Sequence, residues 1–380
     1  MRDLIVFGED FGGLPSSTQH LIRHLSRTHQ VLWINSIGLR QPKLCVKDAT
    51  RAFNKLLGKG NTDSQNMMST SQEFNITIAN LRTIPAPRST AARYIAKQLM
   101  LSQLRPIIRN LGMVNPVLWT SLPTAADLCG ELGESATIYY CGDDFEALAG
   151  VDHDTVAIHE QKLIQRADLI FAVSDKLMGK FPASKTQLLP HGVDTNLFAS
   201  PAPRAKDLLG EHRPIAGFYG SLSKWLDYPL LETVCEQLPD WDFVFIGPNE
   251  LPELRLPKRS NVHYLGMRAH SELPQYSQHW DVSLLPFVDN EQIRACSPLK
   301  LLEYMAAGSK IVSTPFPALK PYSQYVTTVT SADEMVQALT NARVPQTEQL
   351  RNQRSQVVAS ESWEQRSQFV DQMLESLWIN

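Results

Sequence analysis

The segment Cys296-Ser-Pro-Leu-Lys-Leu-Leu-Glu-Tyr-Met-Ala-Ala-Gly308 places two charges, Lys300 and Glu303, in an otherwise apolar helical pattern. Ser297 suits an N-cap, Pro298 the first helical position and Gly308 the stop, so the helix is bounded within a residue or two. A spacing of three puts Lys300 and Glu303 on one face with the small Ala307. The helix dipole disfavours a cation in the first turn unless an anion sits there. Free N–H groups, dipole and ammonium together suit a diphosphate, and Glu303 one turn deeper could accept hydrogen bonds from sugar or ribose hydroxyls. The plainer alternative is a Lys300–Glu303 pair on an exposed edge.

Other residues with chemical potential lie at strand ends. Gly220-Ser221-Leu-Ser-Lys224 follows an apolar run, and a glycine there lets backbone amides approach a phosphate, with Lys224 adding a point charge. Gly247-Pro248 is a similar turn. Asp143 and Asp144 follow Tyr139-Tyr-Cys-Gly, and either could take a proton from an acceptor hydroxyl or serve only as a loop or capping carboxylate. His191, just before Gly192, could touch a transferred sugar or be a satisfied loop histidine. Gly12 and Gly13 lie in the first loop, followed by Pro15 and by Ser16 to Thr18 as possible caps. That loop is not G-x-G-x-x-G, and the second strand ends in Asn35 rather than an acid, which argues against a dinucleotide. The five cysteines are scattered, with no C-x-x-C and no histidine at metal spacing, so we expect reduced thiols, no metal and no cofactor.

The elements that must position these residues alternate between short β-branched or aromatic runs and helical patterns, the signature of parallel sheets. The expected strands are 4–8, 31–35, 74–79, 117–120, 137–140, 169–173 and 187–189, then 215–219, 243–246, 262–264, 282–285 and 310–313. A Pro- and Ala-rich stretch at 199–206 reads as a linker. At 380 residues two domains are expected. They are an N-terminal domain over 1–200 and a C-terminal domain over 207–360. An amphipathic helix over 361–380, with Trp363, Phe369, Val370, Met373, Leu374, Leu377 and Trp378 on its apolar face, must pack on something already built. The fold class is α/β, two doubly wound Rossmann-like domains, with the cleft between them as the default site.

The string S-P-L-K-L-L-E-Y-M-A-A-G followed by K-I-V-S-T-P resembles the donor-site helix of GT-B glycosyltransferases, particularly family 4 (group 1) and relatives in bacterial surface-polysaccharide synthesis. Leu189-Pro-His-Gly-Val-Asp194, Gly217-Phe-Tyr-Gly-Ser-Leu222, Val262-His-Tyr-Leu-Gly266 and Ser362-Trp-Glu364 resemble further pieces in the expected order, together spanning 187–380. The resemblance implies a GT-B fold whose last helix crosses back to the first domain. It implies a donor site at Gly220, Ser221, Lys224, Gly247, Ser297, Pro298, Leu299, Lys300 and Glu303, with Gly266 and Met267 beside the base. It turns Gly12 and Gly13 toward the acceptor, with Asp143, Asp144 or His191 as catalytic candidates. Family-4 enzymes usually carry a second glutamate eight residues before the first; here that position is Ala295, which leaves Glu291 as the nearest substitute and the stereochemistry open.

Charge is unevenly spread. Residues 40–110 hold twelve Lys or Arg against three acids, a net +9, while the whole chain is −3. Ala91–Asn110 contains Arg93, Lys97, Arg105 and Arg109 without an acid, and Pro106 implies a kink or break. Docking on an anionic membrane is expected through 40–110, with no nucleic acid as partner; the alternative is a solvated basic face or core helix. The N-terminus lacks the plan of a secretory signal and no apolar run is long enough to span a bilayer, so a cytoplasmic, peripherally membrane-associated protein is expected. The activity expected is transfer from a nucleoside-diphosphate sugar, UDP first, to a glycan or lipid-linked acceptor. The alternatives are a sugar-nucleotide 2-epimerase and a noncatalytic nucleotide- or glycan-binding protein.

Overall fold

The computed structural model describes residues 2–13, 16–36, 68–70, 74–84, 89–146, 153–209 and 212–377. Pro15, Cys45, Trp378 and most of the basic stretch between 40 and 88 lie outside the described residues. The chain divides into two compact units, one of residues 1–190 with 367–380, the other of residues 191–366.

Among the described residues the first unit is an eight-stranded sheet. In chain order its strands are β1 (Asp3–Phe7), β2 (Gln30–Ile34), β3 (Met68–Thr70), β4 (Ile76–Ala79), β5 (Val117–Thr120), β6 (Ala136–Cys141), β7 (Leu169–Ala172) and β8 (Thr186–Leu188). They lie in the order β3-β4-β2-β1-β5-β6-β7-β8, parallel except that β3 runs antiparallel to β4. Strands such as Leu4-Ile5-Val6-Phe7 are buried residue after residue, as a parallel sheet covered on both faces requires. Strand β3 carried no expectation from the sequence, because three residues give too little periodicity to read.

The second unit has six parallel strands: β9 (Ile215–Tyr219), β10 (Asp242–Ile246), β11 (Val262–Gly266), β12 (Val282–Leu285), β13 (Ile311–Ser313) and β14 (Val326–Thr328). Their order is β11-β10-β9-β12-β13-β14. Strand β14 is again a three-residue edge strand that the sequence did not announce.

Two helices need comment. The helix Thr90–Asn110 runs on through Pro106 instead of ending there. Its buried side, Ala96, Met100, Leu101, Leu104, Ile107 and Ile108, belongs to the core of the first unit, and that packing holds the helix across the missing N–H. The last helix spans Trp363–Ser376, and its residues from 367 onward belong to the first unit. There Phe369 meets Phe171 edge-on at 6.3 Å and Asp371 lies 2.9 Å from His29 Nε2. Val370 and Leu374 are buried. The fold is thus two Rossmann-like sheets with a C-terminal helix returning to the first, as the sequence implied.

Candidate functional site

In the second unit three strands end in left-handed glycines: Gly220 after β9 (φ 137°), Gly247 after β10 (φ 133°) and Gly266 at the end of β11 (φ 72°). Their backbones are laced together, Gly220 N–H donating to Ile246 O at 2.8 Å and Gly247 N–H to Gly266 O at 2.9 Å. A Cβ on Gly247 would lie 2.2 Å from Gly220 O, and one on Gly220 would lie 1.9 Å from Lys300 Cε. The lysine therefore lies directly across the first turn, in contact that only glycine permits.

What aims Lys300 is the helix Leu299–Ala306. Tyr304, fully buried in that helix, takes the Tyr219 N–H on its hydroxyl at 3.0 Å and meets the Tyr219 ring edge-on at 4.7 Å. This fastens the helix to the end of β9, with Lys300 one turn nearer its start. Lys300 is half-buried, and among the described residues its ammonium has no ion-pair partner; Nζ stands 6.0 Å from the centre of the Phe218 ring. Burial pushes its pKa down, against the opposing charges of Glu303, Cys296 and Glu250. A half-buried cation at a helix start, with no ion-pair partner among the described residues, is a ready anion site.

The helix begins one residue later than the capping residues suggested. Pro298, extended at ψ 116°, occupies the capping position with no side-chain cap, so Ser297 is not the N-cap and Pro298 is not the first helical residue. Ser297, Pro298 and Leu299 are half-buried at the helix start. Gly308 does stop the helix, at φ 70°.

Glu303 is 6% exposed and does not pair with Lys300; its Oε1 is 2.8 Å from Nε2 of His270, a residue the sequence gave no reason to select. The only signal was indirect: a buried carboxylate requires a partner, but nothing in the sequence says which of ten histidines supplies it. Ala295 is buried, while Glu291 is exposed and bonded to Arg294 at 3.0 Å, so Glu291 is not drawn in beside Glu303.

Around this group, Ser221 is half-buried and Lys224 exposed. Met267 is exposed just after Gly266, next to Arg268, whose guanidinium is held by Asp207, by Tyr276 Oη at 2.9 Å and by Leu265 O at 2.6 Å. His191 is half-buried near Trp363; burial, then the charges of Arg366 and Lys300, pull its pKa down to about 4. It is therefore a neutral hydrogen-bonding group at pH 7, and it feels the Lys300 charge.

In the first unit the two aspartates separate. Asp144 is 7% exposed and bound to Lys180 Nζ at 2.6 Å, whereas Asp143 reaches solvent. Crowding by surrounding protein, then the charges of Glu9 and Asp144, push the Asp143 carboxyl up to about 7 although its side chain is accessible. Glu9 belongs to the same loop as Gly12 and Gly13, which are exposed; Gly12 (φ 80°) donates its N–H to Gln19 Oε1 at 3.1 Å. Ser16 caps the helix Ser17–Leu25 and donates to Glu9 at 2.9 Å. Among the described residues no group of three His, Cys, Asp or Glu could hold a metal.

The basic helix is partly neutralised. Arg93 grips Asp127 at 2.7 and 2.9 Å and Lys97 reaches Glu131 at 2.5 Å. Burial opposes it, but Arg93 and Lys162 hold the Asp127 carboxyl down at about 2. No described helix is long and apolar enough to cross a membrane.

Part of the chain matches a known family. Residues 213–343 match the family described as glycosyl transferases group 1. The putative teichuronic acid biosynthesis glycosyltransferase TuaH of Bacillus subtilis (strain 168) is 30% identical over 234 residues, which is 54% of this chain. The match spans 58% of that relative's length. Sucrose-phosphate synthase from Thermosynechococcus elongatus superposes with a TM-score of 0.71 at 14% identity, covering both chains completely. HepE of Anabaena, solved in complex with UDP and glucose, gives 0.69 at 12% identity over 99% of this chain and 100% of its own. At such identities the structural likeness establishes the fold, which is GT-B.

Proposed function

From a GT-B fold whose residues 213–343 match the group 1 glycosyl transferases, we propose that the protein transfers a sugar from a nucleoside diphosphate, UDP first, to a hydroxyl of a glycan or lipid-linked acceptor in surface-polysaccharide synthesis. The observation that carries this reading is the Lys300 ammonium, without an ion-pair partner among the described residues, lying across Gly220 at the start of the Leu299–Ala306 helix. In the reaction the bond between the anomeric carbon and the diphosphate oxygen breaks as the acceptor oxygen bonds to that carbon. Lys300 and the helix start stabilise the departing diphosphate, and Asp143 takes the acceptor proton. Glu303 binds a donor hydroxyl, and neutral His191 offers a hydrogen bond to the transferred sugar. In this reading no metal is required, since the leaving charge is met by the ammonium and the helix start.

Lys300→Ala is expected to bind UDP about 10- to 100-fold more weakly by calorimetry, the worth of a charge-assisted hydrogen bond, with an unchanged circular dichroism spectrum. Equal affinity in a folded variant removes the diphosphate assignment. Incubation with a panel of nucleotide sugars, with and without membrane extract, separates the alternatives. Release of nucleotide only with acceptor supports transfer; conversion of the sugar without acceptor indicates an epimerase; binding without turnover indicates a receptor.

The acceptor's location has its own support. Tyr94, Ile95 and Leu99 are exposed on the Thr90–Asn110 helix, with Arg105 and Arg109 exposed further along it. Apolar residues beside Arg109, and beside an Arg105 tied to Glu131 only at 3.9 Å, suit the surface of an anionic bilayer, each basic residue contributing about 1 kcal/mol. Arg93 and Lys97, engaged by acids, are spectators in this reading. Wild type should co-sediment with phosphatidylglycerol vesicles at low salt and a Tyr94/Ile95/Leu99→Ser variant should not. Neither protein sedimenting would remove the membrane from the proposal.

A further inference from the structure

Glu303 is the only acid of the Leu299–Ala306 helix, and it is engaged before any ligand arrives. Its partner, His270, comes from the loop after β11 and lies 2.8 Å away, with the Phe198 ring 5.4 Å from the imidazole and turned edge-on to it at 70°. We propose that His270 is a positioning residue of the donor site. As an imidazolium it fixes the Glu303 carboxylate for a donor hydroxyl and thereby makes donor affinity depend on pH. This rests on the donor site assigned above.

The pair is placed so that its charge state matters. Glu303 is almost wholly buried, where a carboxylate is tolerated only with a partner, and where a charged partner is worth more than in water. The acids acting on His270 come from two elements: Glu303 itself and Asp194, which caps the short helix Thr195–Ala199 carrying Phe198. On its own loop Arg268 is neutralised by Asp207, and the Glu272 carboxylate accepts the Ala269 N–H at 2.8 Å. Lys300 lies one turn from Glu303 on the same helix. Burial works against protonation of His270, but the Glu303 hydrogen bond and charge, then the charge of Asp194, outweigh it, and the ring titrates above the ordinary histidine range. The sign follows from that direction: the imidazolium–carboxylate pair is complete below the raised pKa and is lost as pH rises through it.

UDP-glucose is the probe, because its diphosphate does not titrate near neutrality. Its affinity is measured by calorimetry from about pH 6 to about pH 9 with wild type, His270→Gln, His270→Lys and Lys300→Ala. Wild-type affinity should fall about tenfold across the range, and His270→Gln should start about tenfold weaker and lose that step. His270→Lys should regain most of the affinity at pH 6 and hold it at higher pH, which a merely structural role for the ring would not produce. Should His270→Gln fail to fold, Glu303→Gln must abolish the same step. A His270→Gln variant with wild-type affinity and profile overturns the inference while leaving the donor site standing, provided Lys300→Ala still weakens binding. A wild type without the pH step also overturns it. If wild type does not bind, or Lys300→Ala binds as well as wild type, the donor-site assignment fails and takes this inference with it.

Discussion

Asp143→Asn will bind UDP as wild type does yet turn over at least about a hundredfold more slowly, the scale of losing a positioned general base. The structure separates it from its neighbour. Asp143 reaches solvent with its carboxyl raised to about 7, whereas Asp144 is buried against Lys180. A base must be deprotonated to act, so wild-type turnover should rise with pH and level off above about 7, and this limb should vanish in the asparagine variant. Asp144→Asn is expected to do something different: it leaves Lys180 with Glu146 alone and costs about 1–3 kcal/mol of stability while retaining most turnover. Steady-state rates on both variants, with melting curves alongside, decide between them. Full activity in Asp143→Asn would move the base elsewhere, and His191 would then be the residue to test.

The second large effect is on the fold at the proposed donor site. Gly247→Ala should lower the melting temperature by at least about 5 °C and abolish UDP binding, because its φ of 133° is glycine territory and its Cβ would meet a backbone oxygen at 2.2 Å. Gly220→Ala should be milder in stability and as severe in binding. Its new methyl strikes the far end of Lys300, a flexible chain that can move aside, but moving it takes the ammonium away from the turn. A Gly247→Ala protein that melts and binds like wild type would mean that the two turns are not held in contact as described.

Much of this was legible in the chain. Parallel strands buried on both faces write themselves as continuous apolar runs, which is why Ile215–Tyr219, Val282–Leu285 and Val117–Thr120 stand where the residues said they would. The place of Lys300 in the first turn of a mostly apolar helix was equally visible, and its conflict with the helix dipole is the ground for the anion site proposed above. These are local signals, set by period, capping chemistry and composition within a dozen residues.

What only the tertiary structure decided are the partnerships across long sequence separations. That Glu303 meets His270 rather than Lys300, that Lys180 claims Asp144 and leaves Asp143 open, and that Arg93 and Lys97 are spent on Asp127 and Glu131 are matters of which chain segments the sheets bring together. A sequence states that a buried charge needs a counter-charge, since desolvation makes an unpaired one too costly. It does not state which one, because that choice is made by strand order and loop placement, and these depend on the burial of the whole chain at once.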